Sequence, residues 1–238
     1  MTPLSVLCAM LLGLASPLWA SDLTIPQSTL YPYRSTVEIQ DDFMPQNAGT
    51  TSVGSLGWVS NGGTTTGIDA VANRPGLIQR STGVVISTNT FLNLGQNGNN
   101  TLPNMSHAIT FITQLQSNDI NTIYRVGLAN SPVNPPNSVI YIEKLEADTN
   151  WFCVTRNAGV QTRTDSTVAI TSNYTTHAYV RNSSGVQFSI DHVNVCGVIT
   201  TNIPTATVSA FLEIVNTSAA SKVAVIDYFQ QQIFELSR

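Results

Sequence analysis

After residue 21 no stretch of the chain keeps apolar residues at helical spacing over three turns. Short β-like runs alternate instead with clusters of Gly, Pro, Asn, Asp and Ser. This rhythm predicts an all-β fold. Strands are expected over Thr36 to Phe43, Gly57 to Ser60, Gly76 to Ser81, Gly83 to Leu94, Ala108 to Leu115, Ile123 to Ala129 and Ser138 to Glu143. Others follow over Trp151 to Asn157, Val160 to Thr164, His177 to Arg181, Val186 to Asp191, Val193 to Thr200, Ser209 to Asn216 and Lys222 to Leu236. Turns such as Asn61-Gly62-Gly63, Asn97-Gly98-Asn99, Asn157-Ala158-Gly159 and Ser183-Ser184-Gly185 separate them.

Period-two alternation assigns faces. Ile109, Phe111, Thr113 and Leu115 form one set, and Val186, Phe188 and Ile190 are apolar where Gln187 and Ser189 are polar. About fourteen short strands exceed one comfortable open sheet, so two antiparallel sheets packed face to face are expected. The run Lys222 to Phe229 holds a continuous apolar stretch without a turn residue and reads as a central strand. Greek-key and jelly-roll layouts often make first and last strands neighbours, which would place Asp41 and Asp42 near Asp227.

The N-terminus differs in kind. Leu4 to Ala20 is an apolar run ending in Leu18-Trp19-Ala20, short of a bilayer span and with a small residue at its end. Residues 1–20 are therefore expected to be a signal peptide, residues 21–35 an extended leader and residues 36–238 a single sandwich domain with no transmembrane span in the mature chain. A hydrophobic arm that docks on a partner is the alternative for the first segment. Cleavage after Ala20 would remove Cys8 and leave Cys153 and Cys196, an even pair that is either a disulfide or two buried thiols.

The order of motifs along the chain resembles the concanavalin A-like (laminin-G-like) jelly rolls of tailed-bacteriophage structural and appendage proteins. The matching pieces are Asp41-Asp42-Phe43, Gly54-Ser55-Leu56-Gly57-Trp58, Arg74-Pro75-Gly76, Tyr124-Arg125-Val126-Gly127-Leu128, Asn150-Trp151, Phe188-Ser189-Ile190-Asp191, Thr201-Asn202-Ile203-Pro204-Thr205 and Val225-Ile226-Asp227-Tyr228-Phe229. The resemblance implies a jelly-roll sandwich. It also implies a module on a virion or cell surface, with other virion or surface proteins and copies of itself as partners. At one hairpin the chain has Asp191-His192 where such proteins often have Asp-Gly.

Charge and spacing exclude several chemistries. With a net charge of -4 and lysine only at Lys144 and Lys222, no basic stripe can neutralise a phosphate backbone, so nucleic acid is not an expected partner. Glycoside hydrolysis needs two carboxylates facing one cleft. Glu143 and Glu146, the closest pair, are three apart and would fall on opposite faces of a strand, as rim residues. His177 and Tyr179 share a strand face, but Tyr179 is expected in the core. No Gly-x-Ser-x-Gly elbow and no zinc-type spacing occurs.

The chain is thus expected to be no enzyme. The leading function is a non-enzymatic structural or display β-sandwich, on a virion or extracellular. The alternative is a secreted glycan-binding module, with a polysaccharide-degrading enzyme of the same fold ranked below both. Trp58, Trp151 and Tyr174 are the candidates for stacking on sugars, although core packing is the preferred reading for both tryptophans, since each opens an apolar strand. Asp41, Asp42 and Asp227 are the candidates for holding calcium with backbone carbonyls.

Overall fold

The structure is a computed structural model that describes residues 36–43, 53–68, 74, 76–87, 89–94, 105–131 and 133–234. The expected signal segment 1–20, the leader 21–35 and the turn at Asn97 lie outside the described residues. The chain divides into two units, Met1–Arg34 and Ser35–Arg238, and every described residue belongs to the second.

The described residues form fifteen strands and no helix: β1 (Val37–Asp41), β2 (Trp58–Asn61), β3 (Thr64–Ile68), β4 (Leu77–Ser81), β5 (Asn89–Leu94), β6 (His107–Leu115), β7 (Thr122–Ala129), β8 (Val139–Lys144), β9 (Asn150–Asn157), β10 (Val160–Ala169), β11 (Tyr174–Asn182), β12 (Gly185–Ile190), β13 (Val193–Ile199), β14 (Ser209–Asn216) and β15 (Val223–Ile233). Eight make one antiparallel sheet in the order β13-β12-β11-β6-β15-β4-β3, with β1 also on β15. Seven make the other, in the order β10-β9-β8-β7-β14-β5-β2. The first strand does meet the last: Asp41 pairs with Phe229, while β4 takes the other half of the same β15 edge, with Ile78 opposite Ile226.

The inward sets anticipated from alternation close one core between the sheets. Ile109, Phe111 and Leu115 of β6 and Val186, Phe188 and Ile190 of β12 meet Tyr124, Val126 and Leu128 of β7 and Ala210, Leu212 and Ile214 of β14. At one end of this core Trp58 packs edge-on to Phe229 (centroids 4.8 Å apart) and against Phe43 and Phe111. At the other, Trp151 meets Tyr124 and His177. Such aromatic pairs add about 0.5–1.5 kcal/mol each beyond burial. Cys153 of β9 and Cys196 of β13 are joined in a disulfide that ties the two sheets together near their β13 and β10 edges.

The strands depart from expectation in three places. The run Gly83 to Leu94 is not one strand: positive φ at Gly83 and Ser87 turns the chain, Val84, Val85 and Ile86 stand between 57% and 68% exposed, and pairing begins only at Asn89. The expected turn at Asn61-Gly62-Gly63 is present, with positive φ at both glycines, but it carries the chain between sheets, β2 pairing with β5 in one and the unanticipated β3 with β4 in the other. At this crossing the buried Arg80 guanidinium donates to the carbonyls of Asn61 and Gly62 (3.0 and 2.7 Å), replacing strand partners the crossing chain gives up. Lastly, β11 begins at Tyr174, three residues before the expected start at His177. The Asp191-His192 hairpin has positive φ at both residues, the geometry that favours Asp-Gly.

Candidate functional site

Strand parity gives each sheet an outer face, and the two faces differ sharply. On the seven-stranded sheet, register places Phe152, Glu143, Arg125, Glu213 and Phe91 in one row across β9, β8, β7, β14 and β5. Arg125 Nε donates to Glu143 Oε2 at 2.7 Å and its Nη1 to Glu213 Oε2 at 2.6 Å and to Asn134 Oδ1 at 2.7 Å. Arg163 Nε donates to Glu143 Oε1 at 2.9 Å, its guanidinium pairs with Asp148, and its plane lies 3.5 Å from the Phe152 ring centroid. Tyr141 completes the cluster by donating to Glu143 at 3.2 Å. A side chain at Gly127, opposite Tyr141 in the next row, would collide with the Ile140 carbonyl and the Tyr141 backbone, so only glycine lets β8 close against β7 there.

The side chains of Arg125, Glu143 and Glu213 are 5%, 2% and 0% exposed. Buried carboxylates are tolerated when guanidinium groups pair with them, and here two arginines serve. Burial raises the Glu213 carboxyl from 4.5 to about 7 against the pull of Arg125. The folded chain therefore holds this proton more tightly than the unfolded chain does. Its contribution to stability is full below pH 4.5 and is lost as pH rises through about 7. Urea unfolding of the native chain and of Glu213→Gln should show a stability difference that shifts by on the order of 3 kcal/mol across that window, against the native chain as pH rises. A difference that stays flat from pH 4.5 to 7.5 contradicts the assignment.

The outer face of the eight-stranded sheet carries mostly uncharged side chains, most of them half-buried, with Val225 fully buried. One row runs Tyr174, Gln114, Val225, Gln79 and Thr66 across β11, β6, β15, β4 and β3. The next places Thr176, Ile112 and Tyr228 side by side, and the one after it Ala178, Thr110, Gln230 and Gln40. A bulge between Ile226 and Tyr228 changes the parity of β15, so Ile226 and Phe229 both reach the core while Tyr228 joins the outer face. Tyr228 donates to Gln40 at 3.1 Å, and Gln230 donates to Glu38 at 2.6 Å. Beside them the Arg74 guanidinium lies 3.9 Å over the Tyr174 ring and pairs with Asp227.

This arrangement sorts the residues singled out from sequence. Tyr174 is half-buried on an outer face and Asp227 lies beside it, joined through Arg74. Trp58 and Trp151 pack in the core, as preferred over stacking on sugars, since they are 0% and 1% exposed and walled in by aromatic neighbours. The convergence of Asp41, Asp42 and Asp227 on a cation is likewise corrected. The Asp41 carboxylate points inward and accepts from Phe43 N (2.9 Å), Leu56 N (3.0 Å) and Trp58 Nε1 (3.2 Å), with Gly54 packed so close that a Cβ there would strike it. Asp42 is exposed, Asp227 is taken by Arg74, and the described residues contain no cluster of acids, histidines or cysteines that could hold a metal.

Glu143 sits in the buried cluster and not on a rim, while Glu146 is exposed. His177 and Tyr179 do share a face, but it is the core face, and burial lowers the His177 imidazole to about 3. Lys144, 1% exposed, is a residue the sequence did not single out: its ammonium donates to the carbonyls of Asp119, Thr122, Leu145 and Glu146 at 2.8–3.3 Å and fills a ring of oxygens with its own charge.

Among solved structures, the chain is similar to a protein of unknown function, SO2946 from Shewanella oneidensis MR-1, at 12% identity and a TM-score of 0.62, over 85% of this chain and 89% of that one. It is similar to the β-glucanase of Bacillus licheniformis at 12% identity and a TM-score of 0.54, over 82% and 97%. A carbohydrate esterase of the Shiga toxin-encoding bacteriophage phi24B matches at 16% identity and a TM-score of 0.53, over 76% and 93%. These likenesses show the jelly-roll sandwich. No curated protein sequence matches the chain. The profile of the family described as SO2946-like, C-terminal domain, matches residues 73–228, about two thirds of the length and nearly every strand from β4 to β15. The chain belongs to the SO2946-like C-terminal domain family.

Proposed function

We propose that this chain is a non-enzymatic display module, carried on a virion or cell surface, that turns the outer face of its eight-stranded sheet toward glycans. The observation that carries the proposal is the placement of Tyr174 and Tyr228 on one outer face among Gln40, Gln79, Gln114 and Gln230. Tyrosine offers an apolar ring with a polar tip, and carboxamides donate and accept at once, which suits a ligand whose faces are apolar and whose rim is hydroxyl. The fold is shared with proteins named as a glucanase and a carbohydrate esterase, which supports the same direction without assigning their activities.

The non-enzymatic part rests on the buried row. A general acid or base must come within hydrogen-bond reach of its substrate, and Glu143 and Glu213 are enclosed and spent on Arg125 and Arg163. The Cys153–Cys196 bridge supports an exported or particle-borne chain, since disulfides persist in oxidising surroundings.

The test is a glycan array with and without calcium, read for the native chain and for Tyr174→Ala and Tyr228→Ala, beside hydrolysis assays on β-glucan, xylan and alginate. Binding that falls tenfold or more in both variants, with no hydrolysis, is the expected result. An array without a hit, or hydrolysis abolished by Glu213→Gln, overturns the proposal.

A further inference from the structure

A cavity of about 520 Å³ opens at the end of the sandwich where the β11–β12 hairpin passes the segment entering β6. That volume lies within the roughly 300–1,000 Å³ range of small-ligand sites. Arg181, Asn182, Ser183, Ser184, Thr200 and Phe234 line it.

Arg181 is the unusual member. Its Nη1 is buried without a hydrogen-bond partner, and no described residue gives its guanidinium an ion pair. A guanidinium carries five donors and keeps its charge, and a buried donor left unpaired costs about 1–3 kcal/mol, more when the group is charged. Native structures seldom leave such a group unanswered.

Among the described residues, its surroundings supply no negative charge. His107, opposite Arg181 across the β6–β11 ladder, accepts or donates only to Met105 O and Tyr179 Oη, and burial lowers it to about 4, so it is neutral. Two other buried arginines are answered by oxygens: Arg125 by Glu143 and Glu213 on an outer face, and Arg80, on the core side of β4, by the carbonyls of Asn61 and Gly62, although its Nε is also left unpartnered. Arg181 instead faces a cavity lined by an amide and four hydroxyls, with Phe234, Ile203 and Met105 as its apolar side. A planar fork of N–H groups matches a carboxylate in two parallel hydrogen bonds, the hydroxyls and amide suit the hydroxyl rim of a sugar, and the phenyl ring suits its apolar face.

We propose that this cavity binds the carboxylate of an acidic sugar residue, with Arg181 as the group that recognises the anion. The inference deepens the glycan reading by adding an acidic residue to what the chain recognises, but it uses a site away from the Tyr174 face, so the two can fail separately. Calorimetric titration of the full chain with methyl glucuronide, methyl glucoside and sodium sulfate tests it, using the native chain, Arg181→Gln, Arg181→Lys and Tyr174→Ala. The expected result is saturable binding of methyl glucuronide, none of methyl glucoside, a loss of at least tenfold in Arg181→Gln and a smaller loss in Arg181→Lys. Thermal unfolding of the two arginine variants should match the native chain, and Tyr174→Ala should bind methyl glucuronide as the native chain does.

Absent binding of methyl glucuronide, or binding unchanged in Arg181→Gln, overturns the inference. Sulfate binding as tightly as glucuronide reduces the cavity to a general anion site and overturns its assignment to sugars. Glucuronide binding kept in a chain whose glycan array shows no dependence on Tyr174 or Tyr228 leaves this site standing and removes the sheet face.

Discussion

Arg125→Met is expected to cost about 3–5 kcal/mol of unfolding free energy at pH 7, the largest effect of any single substitution on the outer faces. The guanidinium is the shared partner of Glu143 and Glu213 and also reaches Asn134. Its removal leaves Glu143 and Glu213, on the two strands that flank β7, with only Arg163 to answer one of them. Methionine keeps the volume, so the loss reports charge and not a cavity. Adding Glu143→Gln and Glu213→Gln to Arg125→Met should recover most of the deficit, because replacing every member of a buried ionic cluster is far cheaper than removing one. Urea unfolding followed by tryptophan fluorescence measures both, and Trp58 and Trp151 in the core make the signal report global unfolding. A single variant within 1 kcal/mol of the native chain would show that the row is solvated and not a buried brace.

Replacing Cys153 and Cys196 together by alanine is expected to cost about 4 kcal/mol, from the freedom an unfolded loop of this length regains. The two residues are 43 positions apart and lie in different sheets, so no ladder of backbone hydrogen bonds holds this contact in their place. The midpoint of unfolding should fall in the double variant and, to the same degree, in the native chain unfolded with excess dithiothreitol. A reduced native chain that matches the oxidised one in stability contradicts the bridge.

These two features differ in how far the sequence reveals them. Cys153 sits at an inward position of an alternating strand, and counting cysteines past residue 20 leaves it one partner, so the pair is legible even though bridge and free thiols are not distinguishable. The Arg125 cluster is different. Its members are 18 and 88 residues apart, and only the register of β8 on β7 and β7 on β14 brings them together. One local signal does exist: Glu213 interrupts Phe211-Leu212-Ile214-Val215, and Arg125 stands between Tyr124 and Val126. A charge inside an apolar run is seldom left buried without a partner.

The same contrast explains the other outcomes. Two packed sheets follow from alternation and turn residues, because inward and outward positions are set residue by residue. The tryptophans could not be placed from the chain alone, since a ring that opens an apolar strand serves a core or a ligand equally well until its neighbours are known. Tyr228 reaches the outer face only through the bulge in β15, an irregularity of pairing without a marker such as glycine or proline in Ile226-Asp227-Tyr228.

The outer face of the eight-stranded sheet is the proposed glycan-recognising surface. Titrating the isotopically labelled chain with the oligosaccharide that binds most tightly on the array, while recording backbone and side-chain amide spectra, addresses it directly. The account predicts shifts at Gln79, Gln114, Gln230 and the amides flanking Tyr174 and Tyr228, with β7, β8 and β14 unmoved. Shifts confined to the Arg125, Glu143 and Glu213 row, leaving the Tyr174 face untouched, would contradict it.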